Sequence, residues 1–198
     1  MPDRLTLGFD TSAAHCAAAL LRGDDVLAER QEEMTKGQAE RLMPLLEEML
    51  TEAGLGWQDL SVIGVGIGPG NFTGIRIAVA AARGLALALK IPAIGISATE
   101  AAAHGLPRPC RIQISTRGDQ VIWQDFTAED RDGGRPQQAA TGALPPGPAP
   151  AVPAVPTAVA IARLAADRAD DDAPRPAPLY MRPADAAPAR DAPPVILP

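Results

Sequence analysis

Gly64-Val65-Gly66-Ile67-Gly68-Pro69-Gly70-Asn71-Phe72-Thr73-Gly74-Ile75-Arg76 is the stretch that decides the fold. Residues 60–67 read as a strand, and side chains on a strand alternate between its two faces. Ile63, Val65 and Ile67 therefore point one way, and Gly64, Gly66 and Gly68 the other. The glycine face is bare backbone, so a helix or a ligand packs very close to it. Pro69-Gly70 ends the strand, and Asn71 or Thr73 can cap a helix over 73–90, about 27 Å long at 1.5 Å per residue. Free N–H groups at such a helix start attract anions, and glycine lets a phosphate approach the backbone. The same sequence also makes a tight strand-to-helix turn that holds nothing. A P-loop needs Gly-Lys-Ser/Thr, where Gly74-Ile75-Arg76 stands; a dinucleotide loop needs an acidic residue about 20 positions on, where Lys90 and Ile91 stand.

The flanking chain predicts an α/β protein. Residues 4–9, 16–22 and 26–33 read as strands, with Gly23-Asp24-Asp25 turning a hairpin between the last two. Residues 37–54 read as a helix from the spacing of Leu42, Leu45, Leu46, Met49 and Ala53, with Pro44 as a start or a bend and Gly54 as the stop. A strand at 93–97, a short helix at 98–104 and a strand pair at 110–115 and 119–127 follow. Pro, Ala, Gly and Asp dominate 129–156, a helix fits 157–168, and proline recurs from 173 onward, as in extended or disordered chain.

The chain has 198 residues, 46% apolar but only 3% aromatic, so its core must be built from Ala, Val, Leu and Ile. A net charge of −6 and six aromatic residues argue against tight RNA binding by this chain alone, and leave room for a basic groove shared with a partner. Cys16 and Cys110 have no metal or redox spacing, and no secretory leader is read at the N-terminus, so a reducing cytosol is expected. Residues 75–89 are apolar but short for a span, and Arg83 in their middle would cost about 2.5–3.5 kcal/mol in a bilayer, so no membrane helix is expected.

The helix over 73–90 carries its charge on one narrow stripe. Arg76, Arg83 and Lys90 are seven apart, and nearly every other position is apolar or glycine. A surface helix of a lone subunit shows a broad polar face, so this one needs covering on two sides. Gly74, Ala78, Ala82 and Ala86 recur every four residues as a smooth ridge, and the first helix carries its own wide stripe of Leu42, Leu45, Leu46 and Met49. Those eight residues are the expected partner interface.

Leu7-Gly8-Phe9-Asp10-Thr11-Ser12, then Gly66 to Arg76, and more weakly Ala177-Pro178-Leu179-Tyr180-Met181-Arg182-Pro183, resemble the TsaB (YeaZ) family of bacterial tRNA threonylcarbamoyladenosine biosynthesis proteins. The resemblance implies an actin-like, sugar-kinase-type α/β fold: a well-formed N-terminal lobe over 1–100 with dimerisation helices, a reduced second lobe over 101–184, and a disordered tail over 185–198. It implies a non-catalytic subunit that activates a TsaD-type threonylcarbamoyl transferase, is joined by a TsaE-type ATPase and meets tRNA only through the complex; the sequence leaves open whether it forms a homodimer when alone. No cofactor is expected on the chain itself, with ATP and magnesium as a property of the complex. Family members carry Asp-Ala-Arg where Ser115-Thr116-Arg117 stands here.

Two rival readings follow from the residues. Asp10, Thr11, Gly68, Gly70 and Thr73 could cradle a nucleotide phosphate, as in a small ATPase or kinase-like enzyme, or serve only the turn. A metalloprotease-like protein needs paired ligands, and His15 and His104 lie far apart in the chain.

Overall fold

Residues 4–116, 118–128, 134–170 and 173–181 are described in a computed structural model. The expected tail over 185–198, and Arg117, Arg182 and Pro183, lie outside these residues. A five-stranded sheet forms the first lobe, in the order β3-β2-β1-β4-β5. Its strands are β1 (Leu5–Asp10), β2 (His15–Arg22), β3 (Asp25–Glu33), β4 (Val62–Gly66) and β5 (Ala93–Ile96). β1, β2 and β3 are an antiparallel meander, while β4 runs parallel to β1 and β5 parallel to β4. Parallel neighbours need crossovers. Helices α1 (Gln38–Glu52) and α2 (Phe72–Leu89) supply them. α1 continues past Pro44, which is exposed in the middle of the helix.

β1, β2 and β4 are buried on both faces, which is why β2 reads as an unbroken apolar run. Cys16, Ala18 and Leu20 face α1 and α2 in one cluster; Ala17, Ala19 and Leu21 face the opposite side in another. That opposite side is covered by a late helix, α4 (Thr157–Asp167), which presents Ala158, Ile161, Ala162 and Ala165. The glycine face expected on β4 is its seat. A Cβ at Gly64 would lie 2.8 Å from both the Ala165 Cβ and the Ile161 carbonyl oxygen. On β1 beside it, a Cβ at Gly8 would lie 2.6 Å from the Ala158 carbonyl oxygen and 2.7 Å from the Ala162 nitrogen. α4 falls late in the chain yet packs on β1, β4 and β2, so the first lobe is completed by a segment that leaves and returns.

The second lobe is small. A short helix α3 (Ala98–Ala103) starts at a reciprocal cap: Ser97 Oγ accepts from the Glu100 N–H, and the Glu100 carboxylate accepts from the Ser97 N–H. A three-stranded antiparallel sheet follows, in the order β6 (Cys110–Ser115), β7 (Gln120–Phe126), β8 (Gln137–Ala140). β8 was not legible: Gln137-Gln138-Ala139-Ala140 has neither apolar alternation nor β-branched residues. Arg111 crosses β6 to the Asp125 carboxylate, donating from Nε at 2.5 Å and from a terminal nitrogen at 2.7 Å, and reaches the Pro145 carbonyl. Its guanidinium also lies 4.8 Å from the centre of the Trp123 ring.

Gly64→Val is expected to cost about 1–3 kcal/mol, because α4 backbone stands where the new side chain would go. Gly84→Ala, exposed on α2 with nothing within 4 Å, is expected to add about 1 kcal/mol. Urea unfolding of the two variants beside the parent checks both signs.

Candidate functional site

The turn after β1 and the glycine loop after β4 pack on each other at the start of α2. Asp10 is 3% exposed and Thr11 wholly buried. One oxygen of the Asp10 carboxylate accepts from the Ser12 N–H at 3.2 Å, the Ser12 hydroxyl at 3.0 Å and His15 Nε2 at 2.8 Å. The other oxygen, Oδ1, is buried without a partner and lies against Gly66. Thr11 Oγ1 donates to the Gly74 carbonyl at 2.7 Å, and the Asn71 N–H donates to the Ser12 carbonyl at 2.6 Å. Asn71 caps α2, its side-chain oxygen accepting from the Gly74 N–H at 2.9 Å.

These contacts assign the glycines an internal purpose. A Cβ at Gly74 would run into the Thr11 carbonyl, and one at Gly70 into the Ser12 carbonyl. Gly68 has φ +91°, reached readily only by glycine, and a Cβ there would lie 2.5 Å from the Ile75 side chain and 3.2 Å from the Leu179 carbonyl. Of the residues named for a phosphate, Asp10, Thr11, Gly68 and Gly70 meet in this turn, and the chain itself fills the space beside the glycines. Thr73 stands apart, exposed on the first turn of α2. His15 is drawn into the same cluster through Asp10, a pairing that residue spacing alone did not signal. Among the described residues no group of three or more His, Cys, Asp or Glu could hold a metal ion.

The face of α2 expected for docking is corrected. Leu42, Leu45, Leu46 and Met49 are at most 1% exposed, and Ala78 and Ala82 are wholly buried, all in the chain's own core with β1 and β4. Gly74 is buried against Thr11, and Ala86 is partly buried against the same core. The physical reason is the sheet. The smooth ridge of small residues is what lets α2 lie close on Ile63 and Val65. The outward side is a second set, Ala80, Gly84, Leu87 and Ala88, with Leu87 81% exposed. Arg76, Arg83 and Lys90 run along one edge of it, and Ile77 and Ala81 along the other. On α1 the outward side carries Met43, Pro44, Glu40 and Glu47. Although α2 has the length and composition of a membrane span, it lies on the sheet of this α/β lobe.

At the mouth of the loop, Phe72 stacks on Tyr180 with ring centres 4.9 Å apart, and the Arg76 guanidinium sits 5.1 Å above the Phe72 ring. The extended segment that carries Tyr180 is pinned by the Leu179 N–H donating to the Ile67 carbonyl at 2.8 Å.

Residues 26–178 match the protein family described as TsaD: tRNA N6-adenosine threonylcarbamoyltransferase. The structure superposes on YeaZ from Pseudomonas aeruginosa with a TM-score of 0.74 at 25% identity, over 89% of this chain and 99% of that one. The chain belongs to the TsaB (YeaZ) family. Its fold is accordingly the actin-like α/β one. It is 32% identical over 129 residues to the tRNA threonylcarbamoyladenosine biosynthesis protein TsaB of Escherichia coli, covering 63% of this chain and 55% of that protein. An uncharacterized protein of Mycobacterium tuberculosis is 33% identical over 199 residues, covering 92% of this chain and 93% of its own. The chain thus spans little more than half of the Escherichia coli relative and nearly all of the mycobacterial one.

The His15–Asp10 contact has a pH signature. Its hydrogen bond to Asp10 holds the His15 imidazolium above its ordinary range, against the opposing pull of burial. A raised folded-state value means that the stabilisation is complete below the unfolded value near 6.5 and is lost as pH rises through the folded one. Thermal midpoints measured from pH 5.5 to 9 should therefore fall on the alkaline side of that window. His15→Gln should flatten the fall.

Proposed function

We propose that this chain is a non-catalytic subunit that activates a TsaD-type threonylcarbamoyl transferase in tRNA threonylcarbamoyladenosine modification in the cytoplasm. The observation that carries the proposal is the outward side of α2, where Ala80, Gly84, Leu87 and Ala88 face water beside an already full core. An apolar helical face of this kind is costly on a lone subunit. Small residues at four-residue spacing admit the backbone of a partner helix. Glu40 and Glu47 on the outward side of α1 flank the apolar strip with negative charge, which would set the register of a partner. Family membership supports a TsaD-type protein as that partner.

A non-catalytic role is supported by the turn at Asp10, whose neighbours are the chain's own carbonyls and side chains. Docking would act by stabilising the productive conformation of the sister enzyme; such coupling typically runs about 1–3 kcal/mol. ATP and magnesium enter with a TsaE-type ATPase, tRNA enters through the assembled complex, and two copies of this chain pair through the same strip when no sister is present. A second reading, a nucleotide-binding enzyme, is favoured by one feature, the buried unpartnered Oδ1 of Asp10. Micromolar binding of magnesium–ATP that Asp10→Ala abolishes, read by calorimetry, would decide for it.

Purified alone, the chain should transfer no threonylcarbamoyl group, and it should restore activity to a TsaD-type enzyme deprived of its partner. Full-rate modification in its absence would end the proposal. Leu87→Glu or Ala80→Glu should weaken co-purification with the sister at least tenfold and leave the thermal midpoint within a few degrees of the parent. Ala78→Glu, which buries an unpaired charge, should unfold the chain instead.

A further inference from the structure

On the side of α2 away from α1 lies a groove of about 590 Å³. Its floor is apolar, built from Ala86, Ile91, Pro92, Ala93 and Ile94 at the start of β5, with Pro176 opposite. Its rim carries three cations, Arg83 and Lys90 from α2 and Arg175 from the returning segment, and among the described residues no carboxylate lines it. All three cations are exposed, and none pairs with another described residue. An adjoining cavity shares Ile94, Arg175 and Pro176 and adds Arg135; among the described residues its one carboxylate, Glu100, is tied to Arg168 at 3.0 Å.

The cationic stripe continues towards the start of α2. Arg76 lies on the same stripe, and the 14 residues from Arg76 to Lys90 span about 21 Å at 1.5 Å per residue. Beside Arg76 stands the Phe72–Tyr180 stack, both rings exposed, at 46% and 40%. Six aromatic residues occur in the whole chain, and two of them form a wet, cation-capped platform at the end of a row of exposed cations. In a chain of net charge −6, that concentration of positive charge on one edge is an electrostatic footprint rather than a general property of the surface. Cations that track a backbone, with aromatic rings on which bases stack, are the elements of single-stranded nucleic-acid recognition.

We infer that this edge, from Phe72 and Tyr180 past Arg76 and Arg83 to Lys90 and Arg175, is an RNA-contacting strip that adds phosphate and base contacts to tRNA held by the complex. The inference rests on the docking proposed above, and it deepens it: the apolar side of α2 takes the protein partner, Gly84 and Leu87 border both that side and the groove, and the cationic edge beyond them meets RNA. Phosphate contacts carry affinity and salt dependence; the aromatic pair takes an unpaired base.

The test uses the complex of the full chain with a TsaD-type protein, titrated with an unmodified tRNA transcript at several salt concentrations. Arg83→Gln/Lys90→Gln should leave co-purification intact and lower tRNA affinity about tenfold. The slope of log affinity against log salt should fall by about 1.5 to 2, near one unit per phosphate contact. Arg22→Gln/Lys36→Gln, with the same change in net charge elsewhere on the surface, should do neither. Phe72→Leu should weaken binding several-fold with the salt slope unchanged. Equal affinities and slopes for the two double variants would overturn the strip while leaving the docking proposal standing. Loss of co-purification in Arg83→Gln/Lys90→Gln would also overturn it, by assigning the edge to the protein partner. Failure of the parent chain to form a complex would remove the docking and the strip together.

Discussion

The approach of α4 to β1 and β4 is the contact on which the remaining architecture depends. Ala158, Ile161, Ala162 and Ala165 lie so near the strands that Gly8 and Gly64 admit no side chain. Removing the helix would leave Ala17, Ala19, Leu21, Val62 and Ile94 facing water. With so few aromatic residues, the chain compensates by proximity: many small contacts at close range stand in for a few large rings. The contact also ties the lobes together, since the chain passes through the small sheet before α4 comes back to the first.

Because α4 closes one face, α1 and α2 are left to close the other, α1 with its large side chains and α2 mainly with its small ones. The Leu42, Leu45, Leu46 and Met49 stripe is consumed there, together with the small-residue side of α2. What α2 leaves over is divided. One side is apolar and flat; the edge beyond it is cationic and borders a groove. The two meet along Gly84 and Leu87, which border the groove as well as the apolar side.

The turn at Asp10 is the polar counterpart of that economy. Three donors converge on one oxygen of a buried carboxylate, and a threonine hydroxyl ties the turn to the first turn of α2. The glycines of the loop exist because backbone carbonyls of residues 11 and 12 occupy the space that side chains would need. The same residues that resemble a phosphate cradle in sequence are here a joint between two strands and a helix.

Local pattern determined the elements. Alternation and turn residues located β1 to β7, helical spacing and the Asn71 cap located α1 and α2, and the three glycines of residues 64–68 announced a close neighbour. Those features are legible because they depend on residues a few positions apart. Tertiary structure decided the rest: that the close neighbour on Gly64 is a helix about a hundred residues further on, that His15 meets Asp10, and which side of α2 faces water. An all-apolar helix carries no internal mark of which arc meets the sheet, since Gly74, Ala78 and Ala82 and Ala80, Gly84 and Ala88 are equally small ridges. Only the packing of α2 beside α1, over strands brought together by the whole chain, breaks that tie.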